Sequence, residues 1–209
     1  MNRRDALAAG AICATAFVLL ALVVALAPGA VDPLDITWNG IMVRGRLDVA
    51  IHISHVMNLI GGGWAAVLVV PIILSVITLL VRGWRTTIVV IAMMIASVTV
   101  VQVVKTLIAR ERPVDMLVSS DFGSFPSGHT ANAATVAIVL CLLLPRAVGI
   151  AVGIAWTILM AASRTVLSVH WLTDTIGGAL VGAGVALLVV AAFAPWTRPR
   201  RLKSPPTKE

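Results

Sequence analysis

The chain has 209 residues, 59% of them hydrophobic and 12% charged, with a mean hydropathy of +1.02. A soluble domain carries roughly a quarter charged residues, so this composition excludes a soluble globular enzyme, a disordered protein and a disulfide-stapled secreted domain. The net charge of +7 would suit nucleic-acid binding, but ten of the sixteen Lys and Arg sit at the N-terminus, in short turns or in the C-terminal tail, as on the cytoplasmic flanks of a membrane protein.

Six apolar segments follow in chain order, at about 6–27, 64–81, 86–107, 127–145, 147–163 and 175–194, each within reach of the roughly 17–25 residues that cross a bilayer as a helix. The first follows Asn2-Arg3-Arg4 and ends in Ala25-Leu26-Ala27, which also resembles a signal peptide; the run is long for one, and a span is the preferred reading. Residues 28–63 form a long connection in which Trp38, Ile41, Met42 and Leu47 mix with Asp32, Asp35, Arg44 and Arg46, as in short helices on a membrane surface. His52 and His55 there lack a third ligand and read as interfacial polar residues. Gly61-Gly62-Gly63 reads as a flexible joint into the second segment.

The second and third segments meet through Arg82-Gly83-Trp84-Arg85, and the fourth and fifth through Pro145-Arg146. Cys13 and Cys141 lie inside apolar runs without metal-ligand spacing and read as small buried hydrophobes. Residues 1–196 are expected to form the membrane domain, and 197–209 a solvated basic tail without fixed structure. With the N-terminus cytoplasmic, the inside flanks hold ten cations and the outside connections six, with seven of the nine acidic residues. The positive-inside rule therefore predicts both termini in the cytoplasm, with 28–63, 108–126 and 164–174 outside.

Three outer clusters carry ionisable groups, which are costly at membrane depth and usually functional. Lys105 and Arg112 fall on nearly one face if helix persists, and Pro113 predicts a break at Arg112 that turns its guanidinium inward. Two cations aimed at one place suit an anion; for this pair alone, snorkelling at a helix end is the alternative. Pro126-Ser127-Gly128-His129 precedes the fourth segment, with Ser127 as N-cap, Gly128 allowing close backbone approach, and His129 placed to protonate a leaving oxygen. Ser163-Arg164, His170 and Asp174 span the turn between the fifth and sixth segments. On a helix, His170 and Asp174 would share a face, so that the carboxylate holds one ring nitrogen protonated and frees the other as nucleophile; a charge-paired helix junction is the alternative. Arg164 adds planar donors suited to phosphate. Three cations, two histidines, one carboxylate and a helix N-terminus, without a carboxylate-rich cage, point to metal-independent phosphoryl transfer with no cofactor.

The ordered motifs Lys105-(six residues)-Arg112-Pro113, Pro126-Ser127-Gly128-His129 and Ser163-Arg164-(five residues)-His170-(three residues)-Asp174 resemble the full signature of the type 2 phosphatidic acid phosphatase (PAP2) family. The resemblance implies an all-α, polytopic six-helix membrane bundle whose site core is related to vanadium haloperoxidases. It implies His170 as the attacking nucleophile, Asp174 as its orienting partner and His129 as proton donor and later base. Lys105, Arg112, Ser127, Gly128 and Arg164 would bind phosphate, and Ser163 matches a motif position without a defined role. The expected activity is hydrolysis of a lipid phosphate or pyrophosphate at the outer face of the cell membrane. Candidate substrates are polyprenyl (undecaprenyl) pyrophosphate, phosphatidylglycerol phosphate and phosphatidic acid; the expected partners are such a lipid and the bilayer, not nucleic acid. A lipid phosphotransferase using the same site and a non-catalytic lipid binder are the alternatives, and a soluble haloperoxidase is disfavoured.

Overall fold

Long apolar runs separated by Gly, Pro and Arg produce a helical chain, and a computed structural model describes it over residues 2–120 and 122–197. Among the described residues there is no strand. Helix α1 spans Arg3–Leu26, and a short 3₁₀ turn at Pro28–Ala30 leads to α2, Asp32–Arg44, and α3, Asp48–Gly61. Next come α4, Val70–Arg82, and α5, Trp84–Ile108; then α6, Gly128–Leu143, α7, Arg146–Val166, α8, Leu172–Ala192, and the single turn α9, Ala194–Thr197. Of the basic tail expected over 197–209, Thr197 belongs to α9 and the rest lies outside the described residues.

Five helical stretches are long and apolar enough to cross a membrane, at Arg3–Leu26, Ala65–Arg82, Trp84–Ile108, Arg146–Val166 and Leu172–Ala192. The segment expected over 127–145 is the 16-residue α6, which starts only after Ser127 and stops before Pro145. At 1.5 Å per residue it is about 24 Å long, short of a hydrocarbon core of about 30 Å. The entrance to α4 is irregular: residues Ala65–Val69 form a π turn. Pro71 has no N–H for the carbonyl one turn back, and its ring crowds that carbonyl, so the turn widens.

Helix α8 lies at the centre, packed on α1 and α6, with α7 against α6 and α5 against α8. The close approach of α8 to α6 depends on Gly178 and Gly182: a Cβ on Gly178 would collide with the Ser127 carbonyl oxygen, and one on Gly182 would lie 2.8 Å from the Ala131 Cα. Leu74, Val89, Val90, Met93, Val139, Ala186 and Val190 close the core at the end remote from the loops. Outward-facing Ile72, Ile73, Val76, Leu79 and Leu80 of α4 leave an apolar exterior, as expected of a lipid-facing helix.

The C-terminal ends of α5 and α7 and the N-terminal ends of α6 and α8 meet at one end of the bundle. The N-terminus lies at the other end, where the Arg3 guanidinium donates to the Ala191 carbonyl near the end of α8. Helices α2 and α3 do not merely cover the loop end as surface helices. Asp35 of α2 is buried, and α3 packs on α6 and α7.

Candidate active site

The α7–α8 turn reverses direction through Ser168, a non-glycine residue at φ +49. Arg46 holds this turn, donating to the Val166 carbonyl at 3.0 Å and to the Ser168 hydroxyl at 2.7 Å. His170 therefore lies outside the helix, and α8 begins only after its N-cap, Trp171. The expectation that His170 and Asp174 share a helix face is corrected accordingly. Asp174 is the third residue of α8, and its Oδ2 accepts the Trp171 backbone N–H at 2.8 Å, so capping folds the carboxylate back toward the turn. The same oxygen stands 3.5 Å from His170 Nδ1.

On the other side of the ring, Arg112 approaches His170 Nε2 at 3.4 Å. A guanidinium only donates, so Nε2 is the accepting, lone-pair nitrogen and Nδ1 carries the proton, near Asp174 but without hydrogen-bond geometry to it among the described residues. Burial pushes His170 well below the usual histidine pKa, and the neighbouring cations Arg112, Lys105 and Arg164 push it further. The imidazole is thus held neutral.

Helix α5 ends earlier than Pro113 predicts, because Ala109 adopts the left-handed conformation at φ 50. The chain after the break returns over the end of α5. Lys105 Nζ donates to the Gly123 carbonyl at 2.7 Å, and Arg112 donates to that same oxygen at 2.8 Å. Arg112 also donates to the Val169 carbonyl, tying this loop to the His170 turn. The two cations thus converge on one loop carbonyl and not along one helix face.

Ser127 caps α6, its hydroxyl accepting the Thr130 N–H at 3.4 Å, while its own N–H donates to the Asp174 carbonyl at 2.9 Å. The N-terminal ends of α6 and α8 are therefore joined directly. On the first turn, His129 Nε2 stands 3.3 Å from the Asn58 carbonyl of α3, which can only accept, so this nitrogen carries a proton. Gly61 and Gly62 let α3 come this close: Cβ atoms there would lie 2.8 Å from His129 Cδ2 and 2.6 Å from His129 Nε2.

Arg164, near the end of α7, is 1% exposed, and its Nε and one terminal nitrogen have no hydrogen-bond partner among the described residues. A guanidinium withdrawn from water without an anion is costly, so the arrangement suits an anionic ligand. Ser163 instead donates back to the Met160 carbonyl of its own helix at 2.7 Å. A cavity of ≈ 450 Å³ is lined by Lys105, Gly128, His129 and His170, with Asn58 and Gln102 beside them. Arg112, Ser127, Arg164 and Asp174 are not among the lining residues. An apolar groove of ≈ 240 Å³ shares Ala66, Val67, Ser97, Val98 and Asn132 with the cavity and runs on past Pro71 and Met94.

The PAP2 superfamily model matches residues 86–198, from the start of α5 past the end of α8. The chain belongs to the PAP2 superfamily. Two PAP2-like crystal structures share the fold. A transmembrane PAP2 type phosphatidylglycerolphosphate phosphatase from Bacillus subtilis superposes with a TM-score of 0.75 at 24% identity, covering 86% of this chain and 93% of that one. LpxE from Aquifex aeolicus gives 0.65 at 21% identity, covering 75% and 94%. An undecaprenyl-diphosphatase of Sulfolobus acidocaldarius is 39% identical over 67 residues, so the match spans about a third of this chain and 32% of that protein. With its apolar helices, the chain is a multi-pass membrane protein of this superfamily.

The candidate site contains residues that the sequence did not single out as functional. Arg110, inside the spacer between Lys105 and Arg112, donates to Asp174 Oδ1 and to Asp35 Oδ2, both at 2.8 Å. Asn58 reaches His129 through a backbone atom, which no side-chain motif encodes. Arg110 had one visible signal, a further cation at the outer end of a span. Asp35 had only its charge.

Proposed function

We propose that this PAP2 protein hydrolyses a phosphorylated membrane lipid without a metal ion, through a phosphohistidine on His170. The observation that carries the proposal is the polarised ring of His170: Nδ1 faces Asp174 Oδ2 at 3.5 Å, and Nε2 keeps its lone pair beside a cavity that His129 and Lys105 also line. Nε2 attacks phosphorus while the bond to the leaving oxygen breaks, and His129 gives that oxygen a proton. The bond formed is N–P, and the departing group is the lipid alcohol or lipid phosphate. His129, now neutral, takes a proton from water; the water oxygen attacks phosphorus, the N–P bond breaks, and inorganic phosphate leaves. Lys105, Arg112 and Arg164, with Ser127 and the Gly128 N–H, stabilise the charge on the equatorial oxygens.

A lipid substrate is supported by the apolar groove continuous with the cavity and by the PAP2 relatives, whose names specify a lipid diphosphate and a lipid phosphate. Of polyprenyl pyrophosphate, phosphatidylglycerol phosphate and phosphatidic acid, the first is preferred. The site opens on the outer face, with both termini cytoplasmic; the loop charges support this, and so does the placement of the N-terminus and the cavity at opposite ends of the bundle. The test is phosphate release by purified protein from each of the three lipids. Release by the wild type and none by His170→Ala is the expected pattern. Absence of release from all three, or near-normal turnover by His170→Ala, would overturn it.

A further inference from the structure

Asp174 uses its two oxygens for different partners. Oδ2 faces His170 Nδ1 and the Trp171 N–H, whereas Oδ1 accepts from Arg110 at 2.8 Å. The other arm of that guanidinium binds Asp35 Oδ2 at 2.8 Å. Asp35 in turn accepts the Thr173 N–H at 2.9 Å on Oδ1 and the Thr173 hydroxyl at 2.6 Å on Oδ2. The Arg110 guanidinium also donates to that hydroxyl at 2.8 Å and lies 5.7 Å from the centre of the Trp171 ring. Asp174 and Asp35 are 0% and 1% exposed and Arg110 11%, so water does little to screen the three charges.

We propose that Arg110 and Asp35 are positioning residues for phosphoryl transfer, forming a relay from α2 that fixes the plane of the Asp174 carboxylate and thereby the His170 ring. A carboxylate held only on its Oδ2 side can rotate about its own bond. A planar guanidinium clamped between two carboxylates cannot, because its forked donors demand both directions at once. Asp35 reaches the start of α8 from α2, which gives a connection outside the three motifs a direct hold on the nucleophile. The proposal rests on the reading of His170 as nucleophile.

The experiment compares wild type with Asp35→Asn, Arg110→Gln and Arg110→Lys, all as full-length protein in detergent with farnesyl diphosphate as substrate. Folded sites are counted by stoichiometric binding of orthovanadate, and rates are expressed per folded site. Asp35→Asn and Arg110→Gln are expected to lower kcat by about tenfold or more, the effect of removing a partner that orients a functional histidine or carboxylate. KM should stay within about twofold, because neither side chain lines the cavity. Arg110→Lys should recover part of the lost kcat, since it restores the charge without the fork. Normal turnover per folded site in both neutral variants would leave Arg110 and Asp35 as fold stabilisers only and overturn the relay. So would a loss carried by KM, or a lysine variant no better than glutamine. Wild-type protein inactive on every lipid phosphate would instead overturn the hydrolase reading, so the two failures are distinguishable.

Discussion

The proton on His129 Nε2 points at the Asn58 carbonyl, 3.3 Å away, an approach that the glycines at the end of α3 leave room for. Asn58 is separated from His129 by 71 positions and binds through its backbone, so it is the path of α3 that orients the His129 ring.

Gly62→Ala tests this seating. The added Cβ would lie 2.6 Å from His129 Nε2 and 3.0 Å from the Asn58 oxygen, so ring, carbonyl or both must move. His129→Ala should slow turnover by about 10²–10⁴, the usual contribution of a general acid–base group. Gly62→Ala should lose a substantial part of that factor in kcat while His129 is still present. An alanine variant as fast as wild type would mean that the ring has room to shift at no cost to proton transfer.

The His170 environment fixes the sign of a pH effect. Burial and the cations Arg112, Lys105 and Arg164 lower its pKa well below 6.5, and a backbone hydrogen bond with Ser124 opposes them. The neutral imidazole therefore persists below the ordinary histidine range, and protonation removes it only at lower pH. In ¹³C-histidine spectra of the ligand-free protein, the His170 signal should titrate well below 6.5. Bound orthovanadate, an anion amid those cations, should move the midpoint upward. The unfolded chain takes up a proton near pH 6.5 that the folded one refuses, so stability should decline as pH falls through that value. A His170 midpoint at or above 6.5 without ligand would contradict the burial argument.

How much of the site could be read from the sequence depended on distance along the chain. Ser127, Gly128 and His129 are contiguous and start a helix, so their cap was legible from local chemistry. His170 and Asp174 were legible as a pair, but the reason they meet was misread, because a helix-face argument cannot see that Ser168 turns the chain and delays α8 until Trp171. The left-handed Ala109 was equally hidden: alanine favours helix, and only the tertiary return of the following loop to Arg112 explains the early stop. The Asp35–Arg110 pair is 75 positions apart and obeys no periodicity. The membrane class and the spans emerged from hydropathy, which is summed over many residues and tolerates local error. The 16-residue α6 is the exception, because its capped start and Pro145 trim an apolar run that looked longer.

Gly182→Val should damage the site from a distance. The Cβ of any larger residue would meet the Ala131 backbone, with the carbonyl carbon and Cα both at 2.8 Å, and backbone gives less easily than a side chain. Overpacking of this kind costs about 1–3 kcal/mol, occasionally more. It would push α8 from α6 just below the Ser127 N–H bond to the Asp174 carbonyl, which joins the two helix starts. The variant should melt at lower temperature, and its remaining folded fraction should show reduced kcat. A lowered melting temperature with full turnover per folded site would confine Gly182 to packing.

Arg164 offers a test in which stability and activity move in opposite directions. Its side chain is almost wholly buried, and two of its nitrogens have no partner among the described residues, so the ligand-free fold carries a guanidinium whose desolvation is incompletely offset. Replacing buried ionic groups by apolar ones of similar volume is often neutral or stabilising by about 1–4 kcal/mol. Arg164→Met should accordingly melt no lower than wild type, and at about 2–4 °C per kcal/mol for a chain of this size the gain should be measurable. The same variant should lose about 10²–10³ in kcat/KM, the effect of deleting one donor to a transition-state oxyanion, and orthovanadate should stabilise it less than it stabilises wild type. Differential scanning fluorimetry with and without orthovanadate, read beside phosphate release, separates the alternatives. A marked fall in melting temperature would show that Arg164 is held by the fold; unchanged kcat/KM would remove it from the phosphate site. A firmer fold together with a failed catalyst is the pairing expected of a cation kept desolvated to receive the charge of a substrate phosphate.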